Sequence, residues 1–273
     1  MQLVDIGANL THPSFHDDVD AVVARARAAD VATLVITGTT VLESRLAAEI
    51  ADRYDLYCTA GVHPHHARDC DERTIAELRR LSVHPRCVAI GECGLDFNRN
   101  YSPHPDQEKW FVAQLELGLE LGRPLFLHSR DAHPRFAQIL RTHGVKQAVA
   151  HCFTGEKDEL QAYLELGLYV GITGWICDER RGQHLLTLVR DIPSDRLLLE
   201  TDSPYLTPRD LRPQPKARRN EPAFLPHILK TVARALGRPA EEVAVETTRN
   251  AERLFGIRHE SRASATAQRT ASA

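Results

Sequence analysis

Pro124-Leu125-Phe126-Leu127-His128-Ser129-Arg130-Asp131 is a run of four apolar residues that passes straight into four polar ones, the first an imidazole. The apolar run is short and shows no polar alternation, so it reads as a strand buried on both faces. Residues 131–143 then carry apolar side chains at helical spacing and stop at Gly144, the residue type that a left-handed helix end favours. Ala148-Val149-Ala150 repeats the strand and again ends on an imidazole, in His151-Cys152-Phe153-Thr154-Gly155. The unit is therefore strand, polar strand end, helix.

The rest of the chain repeats that unit. Short apolar runs stand at 3–6, 31–36, 56–62, 87–90, 124–127, 148–150, 168–172 and 196–199. Helical spacing marks 17–29, 41–54, 71–81, 106–121, 131–143, 156–166 and 182–189, with two more helices at 225–236 and 240–255. Asp71, Asp106 and Asp131 are expected to cap helix starts, and Gly122, Gly144 and Gly167 to close helix ends. Eight strand–helix repeats predict an α/β fold, a single-domain (β/α)8 TIM barrel over residues 1–257. The tail 258–273 is small, polar and unpatterned and is expected to be disordered. An open doubly wound sheet is the alternative, but no Gly-x-Gly-x-x-Gly turn follows the first strand.

Composition agrees with an enzyme-sized globular chain. Of 273 residues, 42% are hydrophobic and 26% charged, and the formal net charge is −3, which excludes a generally basic nucleic-acid coat. No run approaches the ~18 apolar residues of a membrane span, and the start of the chain does not read as a signal peptide. Six cysteines without a Cys-x-x-Cys pair read as free thiols in a reducing cytoplasm. A monomer is expected.

In such a barrel the C-terminal strand ends share one mouth. The chain places Gly7-Ala8-Asn9 after the first strand, His63-Pro64-His65-His66 after the third and Gly91-Glu92-Cys93-Gly94-Leu95-Asp96 after the fourth. His128 and His151 follow the fifth and sixth, and Glu200-Thr201-Asp202-Ser203-Pro204-Tyr205 the eighth. Any one of these residues alone reads as a loop or turn residue. Glu92, His128, His151 and Asp202 together read as a metal site, because imidazole and carboxylate ligands suit Mg²⁺, Mn²⁺ or Zn²⁺ and leave positions for water and substrate. Cys93 and Cys152 follow two of these residues directly and are expected to point into the core.

These motifs, with Ala60-Gly61-Val62-His63-Pro64-His65, Gly171-Ile172-Thr173-Gly174-Trp175 and Arg218-Arg219-Asn220-Glu221-Pro222, make the chain resemble the TatD family of metal-dependent deoxyribonucleases, most closely the subgroup that gives the family its name. The resemblance spans residues 1–257. It implies a barrel of the metal-dependent hydrolase type and Mg²⁺-dependent hydrolysis of phosphodiesters. It further implies 3′→5′ exonuclease action on single-stranded DNA, with RNA as a further substrate and a role in DNA repair or degradation. It also implies that Glu92, His128 and His151 hold the ion, that Asp202 is a ligand or the general base, and that His63 and His65 lie beside the scissile phosphate. Asp202, His63 and Glu92 are then the catalytic candidates. Many relatives carry His-x-His after the first strand. Here Asn9 stands in that stretch, so one ion position is furnished and a second is incomplete.

The rim suggests the substrate. Residues 209–221 hold five basic residues against two acidic, in the region where barrels of this type often bind phosphate. Arg219 there, Arg130 after the fifth strand, and Asn9, His63 and His65 are the substrate-binding candidates. Phe97, Tyr101, Trp175 and Tyr205 lie in mouth loops, where they could stack the bases of a single strand. Two competing readings remain: a metal-dependent amidohydrolase or deacylase on the same barrel, and a barrel that binds nucleic acid without cutting it.

Overall fold

Eight strands form where the apolar runs predict them: β1 (Leu3–Ala8), β2 (Val31–Ile36), β3 (Tyr57–Ala60), β4 (Cys87–Asp96), β5 (Leu125–Arg130), β6 (Ala148–Ala150), β7 (Tyr169–Ile172) and β8 (Leu197–Leu199). The computed structural model describes residues 2–257, and the expected disordered tail at 258–273 lies outside the described residues. The strands pair in parallel in the order β1 to β8, each with its sequence neighbour, and form a nearly closed barrel. Helices cover it: α1 (Val19–Ala28), α2 (Val41–Tyr54), α3 (Thr74–Ser82), α4 (His104–Leu121), α5 (His133–His143), α6 (Lys157–Glu165), α7 (Leu185–Leu188), α8 (Leu225–Leu236) and α9 (Ala240–Phe255).

The apolar residues of the strands divide by alternation, as pleating requires. Val4, Ile6, Val35, Val88, Phe126, Val149, Tyr169 and Leu198 form one buried cluster with Leu254 and Phe255 of α9. Leu3, Ile36, Ile90, Leu127, Ala150, Val170 and Leu199 belong to a second, shared with the helices. Both strand faces are therefore dry, which explains the near-continuous apolar runs.

The seam between β1 and β8 closes by other means than a regular ladder. Asp202 donates its amide to the Gly7 carbonyl at 2.8 Å, and Asn9 donates its own to the Ser203 carbonyl at 2.7 Å. The buried Asp5 carboxylate accepts the Thr201 amide at 2.9 Å and the Thr201 hydroxyl at 2.6 Å. These bonds tie the first strand to the last and hold Asn9 against Asp202.

The structure corrects several expectations. β4 and β5 run past the predicted ends, to Asp96 and Arg130, and stay paired as far as Asp96 with Arg130. Glycine makes this possible: Gly94 has φ +152°, and a Cβ there would lie 1.9 Å from the His128 carbonyl oxygen. Only a residue without a side chain lets β5 approach so closely. The helix expected at 182–189 shrinks to one α turn, Leu185–Leu188, followed by a 3-10 turn. Asp71 does accept the Arg73 amide at the start of α3, at 2.9 Å, whereas Asp106 lies inside the first turn of α4 and Asp131 precedes α5, whose N-cap positions are Pro103 and Ala132. Asp131 instead has φ +53° and accepts a hydrogen bond from the Asn98 side chain. Gly122 and Gly144 do close α4 and α5 in the left-handed conformation, while Gly167 lies one residue past the cap of α6.

Candidate active site

The C-terminal strand ends surround a cavity of about 630 Å³. At its floor, three imidazole nitrogens converge on one carboxylate oxygen. Glu92 Oε1 lies 3.1 Å from His63 Nε2, 3.0 Å from His128 Nδ1 and 2.7 Å from His151 Nε2. Glu92 is buried, and burial alone would raise its pKa, but the charge of His151 and the hydrogen bonds from His128 and His151 hold it well below the usual range. His63, Glu92 and His128 offer ligand atoms within 4.8 Å of one another. The donor set of imidazole nitrogen and carboxylate oxygen fits a divalent cation. A single oxygen facing three imidazoles is the arrangement a shared cation would relieve.

The orientation of each ring is fixed by what its other nitrogen does. His63 Nδ1 accepts the His65 amide at 3.1 Å. Burial pushes its pKa down to about 4, so the neutral ring carries its hydrogen on Nε2 and turns a donor, not a lone pair, toward the cavity. His151 is different. Its Nδ1 faces Glu200 Oε2 at 3.3 Å, a carboxylate behind an imidazole that leaves Nε2 to the cavity. Burial would lower the His151 pKa, yet the charges of Glu92 and Glu200 hold it well above its ordinary value. His128 is also raised, because Asp96 and Glu92 outweigh its burial, although its Nε2 lies 3.5 Å from Asp96 Oδ2, too far for a well-formed bond. Asp96 is bonded more closely by His65 Nε2 at 2.7 Å and by the amides of Asn98 and Arg99.

Asp202 stands across the cavity with φ +52°. The Asn9 side-chain amide donates to its Oδ1 at 2.9 Å. Burial pushes its pKa up to about 7, and the charges of Glu92 and Glu200 add to this against His151 and Asn9. The Gly91–Glu92 and Ser203–Pro204 peptides, each adjoining a site residue, are cis.

Glu92, His63, His65, His128, His151, Asp202, Asn9 and Arg130 all line this one cavity. Arg219 does not. Its guanidinium reaches Asp18 at 2.8 Å and Glu221 at 2.7 Å, bonds the Ser14 carbonyl and covers the Phe15 ring. Within the basic run at 209–221, Arg209 is likewise neutralised by Glu179, and the Arg212 guanidinium is turned onto backbone carbonyls. The cations that line the cavity are instead Arg99, Arg130 and Arg181, the last paired with Asp178 at 3.1 Å and lying over the Trp175 ring. Tyr101, Trp175 and Tyr205 lie at the cavity, the two tyrosines about half exposed, whereas Phe97 is stacked on His104 and is not part of the lining.

Cys152 lines the cavity, contrary to expectation. β6 ends at Ala150 and Cys152 has φ +47°, so strand alternation no longer sets its direction. Burial and the neighbouring Asp202 and Glu200 charges raise its thiol well above the ordinary value, which makes it a poor nucleophile. Cys93 is buried in the core as expected. Residue-level reading passed over Glu200 and Asp96. Both carried a signal: Glu200 is a carboxylate ending an apolar strand, and Asp96 follows Glu92 by four residues in a strand.

Comparison with known proteins places the chain in a family. The model of the TatD related DNase family matches residues 4–256. The 3′-5′ ssDNA/RNA exonuclease TatD of Erwinia tasmaniensis is 55% identical over 259 residues, covering 93% of this chain and all of that protein. The Pantoea vagans protein of the same name is 56% identical over the same length. Among solved structures, the Escherichia coli TatD homologue YjjV superposes with a TM-score of 0.86 at 26% identity, covering 94% of this chain and 98% of its own. The chain belongs to the TatD related DNase family.

Proposed function

We propose that this protein is a metal-dependent nuclease that removes nucleotides from the 3′ end of single-stranded DNA and of RNA. The observation that carries this reading is the convergence of three imidazoles on Glu92 at the floor of a cavity whose other walls supply Arg99, Arg130 and Arg181. Imidazoles and carboxylates suit a cation, and guanidinium groups suit a phosphate. The names of its 55–56% identical relatives support the same substrate and polarity.

In this reading Glu92, His128 and His151 hold the divalent ion, Mg²⁺ first among the candidates, with Asp202 at the edge of the set. When bound, the ion lowers the pKa of a water and offsets charge on the phosphate. Glu200 positions His151 through Nδ1. Asp202, with Oδ1 held by Asn9, takes the proton of the attacking water, since a carboxylate with a raised pKa is matched to that work near neutral pH. His63 donates from Nε2 to a phosphate oxygen, and His65 is held beside it by Asp96. Arg130, Arg99 and Arg181 bind backbone phosphates, and Tyr205, Tyr101 and Trp175 stack bases. The place of action is the cytoplasm and the working unit a monomer.

The test is an oligonucleotide labelled at one end or the other, incubated with Mg²⁺ or with EDTA, beside a closed single-stranded circle. Nucleotides should leave the 3′ end of the linear strand with Mg²⁺ only, His151→Ala should be inactive, and the circle should survive. Intact linear substrate under Mg²⁺, Mn²⁺ and Zn²⁺ alike would overturn the reading. Cleavage of the circle would leave a nuclease but remove the exonuclease assignment. Cutting of amides or esters in place of phosphodiesters would favour the amidohydrolase alternative.

A further inference from the structure

Outside the residues that line the cavity, Cys177, Asp210 and His227 bring a thiol, a carboxylate and an imidazole to one point. Their ligand atoms all lie within 4.8 Å of one another. The three come from separate segments. Cys177 ends the 3-10 turn Gly174–Cys177 that follows β7. Asp210 lies in the long connection after β8, and His227 is in the first turn of α8. His227 Nε2 meets Asp210 Oδ1 at 2.6 Å, and Cys177 Sγ lies 3.5 Å from Thr231 Oγ1, one helical turn beyond His227 on the same face of α8. Cys177 is buried, His227 is half-buried and Asp210 is exposed.

We propose that Cys177, Asp210 and His227 form a further metal site, selective for Zn²⁺, that pins the β8–α8 connection to the barrel. The proposal stands apart from the nuclease reading. A thiolate is a soft ligand and favours Zn²⁺ over Mg²⁺, which takes oxygen ligands. One thiolate and one carboxylate balance the charge of a dication, and neutral imidazole completes three protein ligands with water in the fourth position. The Thr231 hydroxyl is placed to bond the sulfur from behind, as groups around metal ligands commonly do. Without the ion, burial pushes the Cys177 thiol up to about 12. Binding therefore releases the thiol proton to water, and affinity rises with pH.

The site has a structural consequence. Trp175 and Arg181, on one of the joined segments, and Tyr205 and Leu206, on another, line the main cavity. A cation at Cys177 ties those two segments together, alongside the pairing of Arg209 with Glu179. It is a fastening for the loops that frame the mouth, not a participant in the chemistry.

Co²⁺ is the probe, because thiolate ligation gives a sulfur-to-cobalt charge-transfer absorption that imidazole and carboxylate ligation do not. The full-length protein, stripped with a chelator, should develop this band with one equivalent of Co²⁺ in the presence of excess Mg²⁺. One equivalent of Zn²⁺ should abolish it. Cys177→Ser should lack the band, and Cys152→Ser, which removes the thiol in the main cavity, should keep it. His227→Gln, at a partly exposed position, should fold normally and weaken Co²⁺ binding by more than ~100-fold. Zn²⁺ should also slow proteolysis of the 207–219 segment in the wild type and not in His227→Gln. A protein without the thiolate band at any Co²⁺ concentration, or a band that survives Cys177→Ser, would overturn the proposal and leave a hydrogen-bonded triad.

Discussion

At the scale of single residues, function depends on which nitrogen of each ring is free. The backbone settles this for His63, since an amide at Nδ1 forces the hydrogen onto Nε2. A side chain settles it for His151, since Glu200 lies behind Nδ1. Glu200→Gln keeps the shape and removes the charge, and Gln can still offer an oxygen to the Cys152 amide. The expected result is a ~10–100-fold rise in the Mg²⁺ concentration needed for half-maximal activity, with KM for DNA at saturating Mg²⁺ unchanged. A fall in thermal stability alone would mark Glu200 as a packing residue. Arg219 makes the opposite case. Its donors are taken by Asp18, Glu221 and Ser14, so Arg219→Ala should leave KM for DNA within about twofold. It should cost about 1–2 kcal/mol of stability, as loss of partly buried charged hydrogen bonds does, or roughly 3–6 °C in Tm for a chain of this size.

At the scale of elements, the seam between β1 and β8 decides whether the mouth is assembled. Asp5 bonds across it to Thr201, one residue from Asp202. Burial pushes the Asp5 carboxyl up from 3.8 to about 7, against the donors from Thr201 and Gly7. The folded chain therefore holds a proton that the unfolded chain releases near pH 4. The associated stability is complete below that pH and is lost as pH rises through about 7, by an amount on the order of 4 kcal/mol. Asp5→Asn does not titrate. The Tm of the wild type should fall relative to that of Asp5→Asn between pH 4 and 7, and a pH-independent difference between the two would show that Asp5 ionises normally. β4 shows a second elemental effect. Its extension to Asp96 carries Glu92 and Asp96 on one strand, with Glu92 at the register shift between Gly91 and Cys93 and its amide bonded to the Gly38 carbonyl at 2.9 Å, and with the Asp96 amide bonded to the Gln107 side chain of α4 at 2.8 Å.

At the scale of the molecule, the mouth brings together arginines from the β4, β5 and β7 connections and aromatics from three loops. The overall charge of −3 makes this a local attraction and not a global one. Tyr205 is half exposed and packs edge-on against His12 at 5.6 Å at the cavity wall. Tyr205→Ala should raise KM for a long single strand by ~5-fold or more, the weight of one stacked base. It should leave kcat unchanged and cleavage of a dinucleotide nearly so. An equal loss on both substrates would place Tyr205 in the assembly of the floor instead.

Strand positions, the barrel and the carboxylate and imidazole set were legible because two-sided burial and helical spacing are local patterns. His128 and His151 stand directly after apolar runs, and no long-range contact is needed to see it. The limits of β4 were not legible, since its last residues are held by β5 and by the close approach at Gly94, which residues 87–96 do not reveal on their own. Cys152 turned inward for a similar reason: a positive φ beyond the strand overrides alternation. Arg219 looks like a phosphate ligand in a basic run, and only the fold brings Asp18, two hundred residues away, against it. What the amino-acid order determined by itself is the sequence of elements and the kinds of group at each strand end, because these rest on near-neighbour geometry and hydrophobic period. What only the tertiary structure decided is which charges meet and which nitrogen of each ring is free, because electrostatic pairing and hydrogen bonding depend on distances across the barrel that no local pattern encodes.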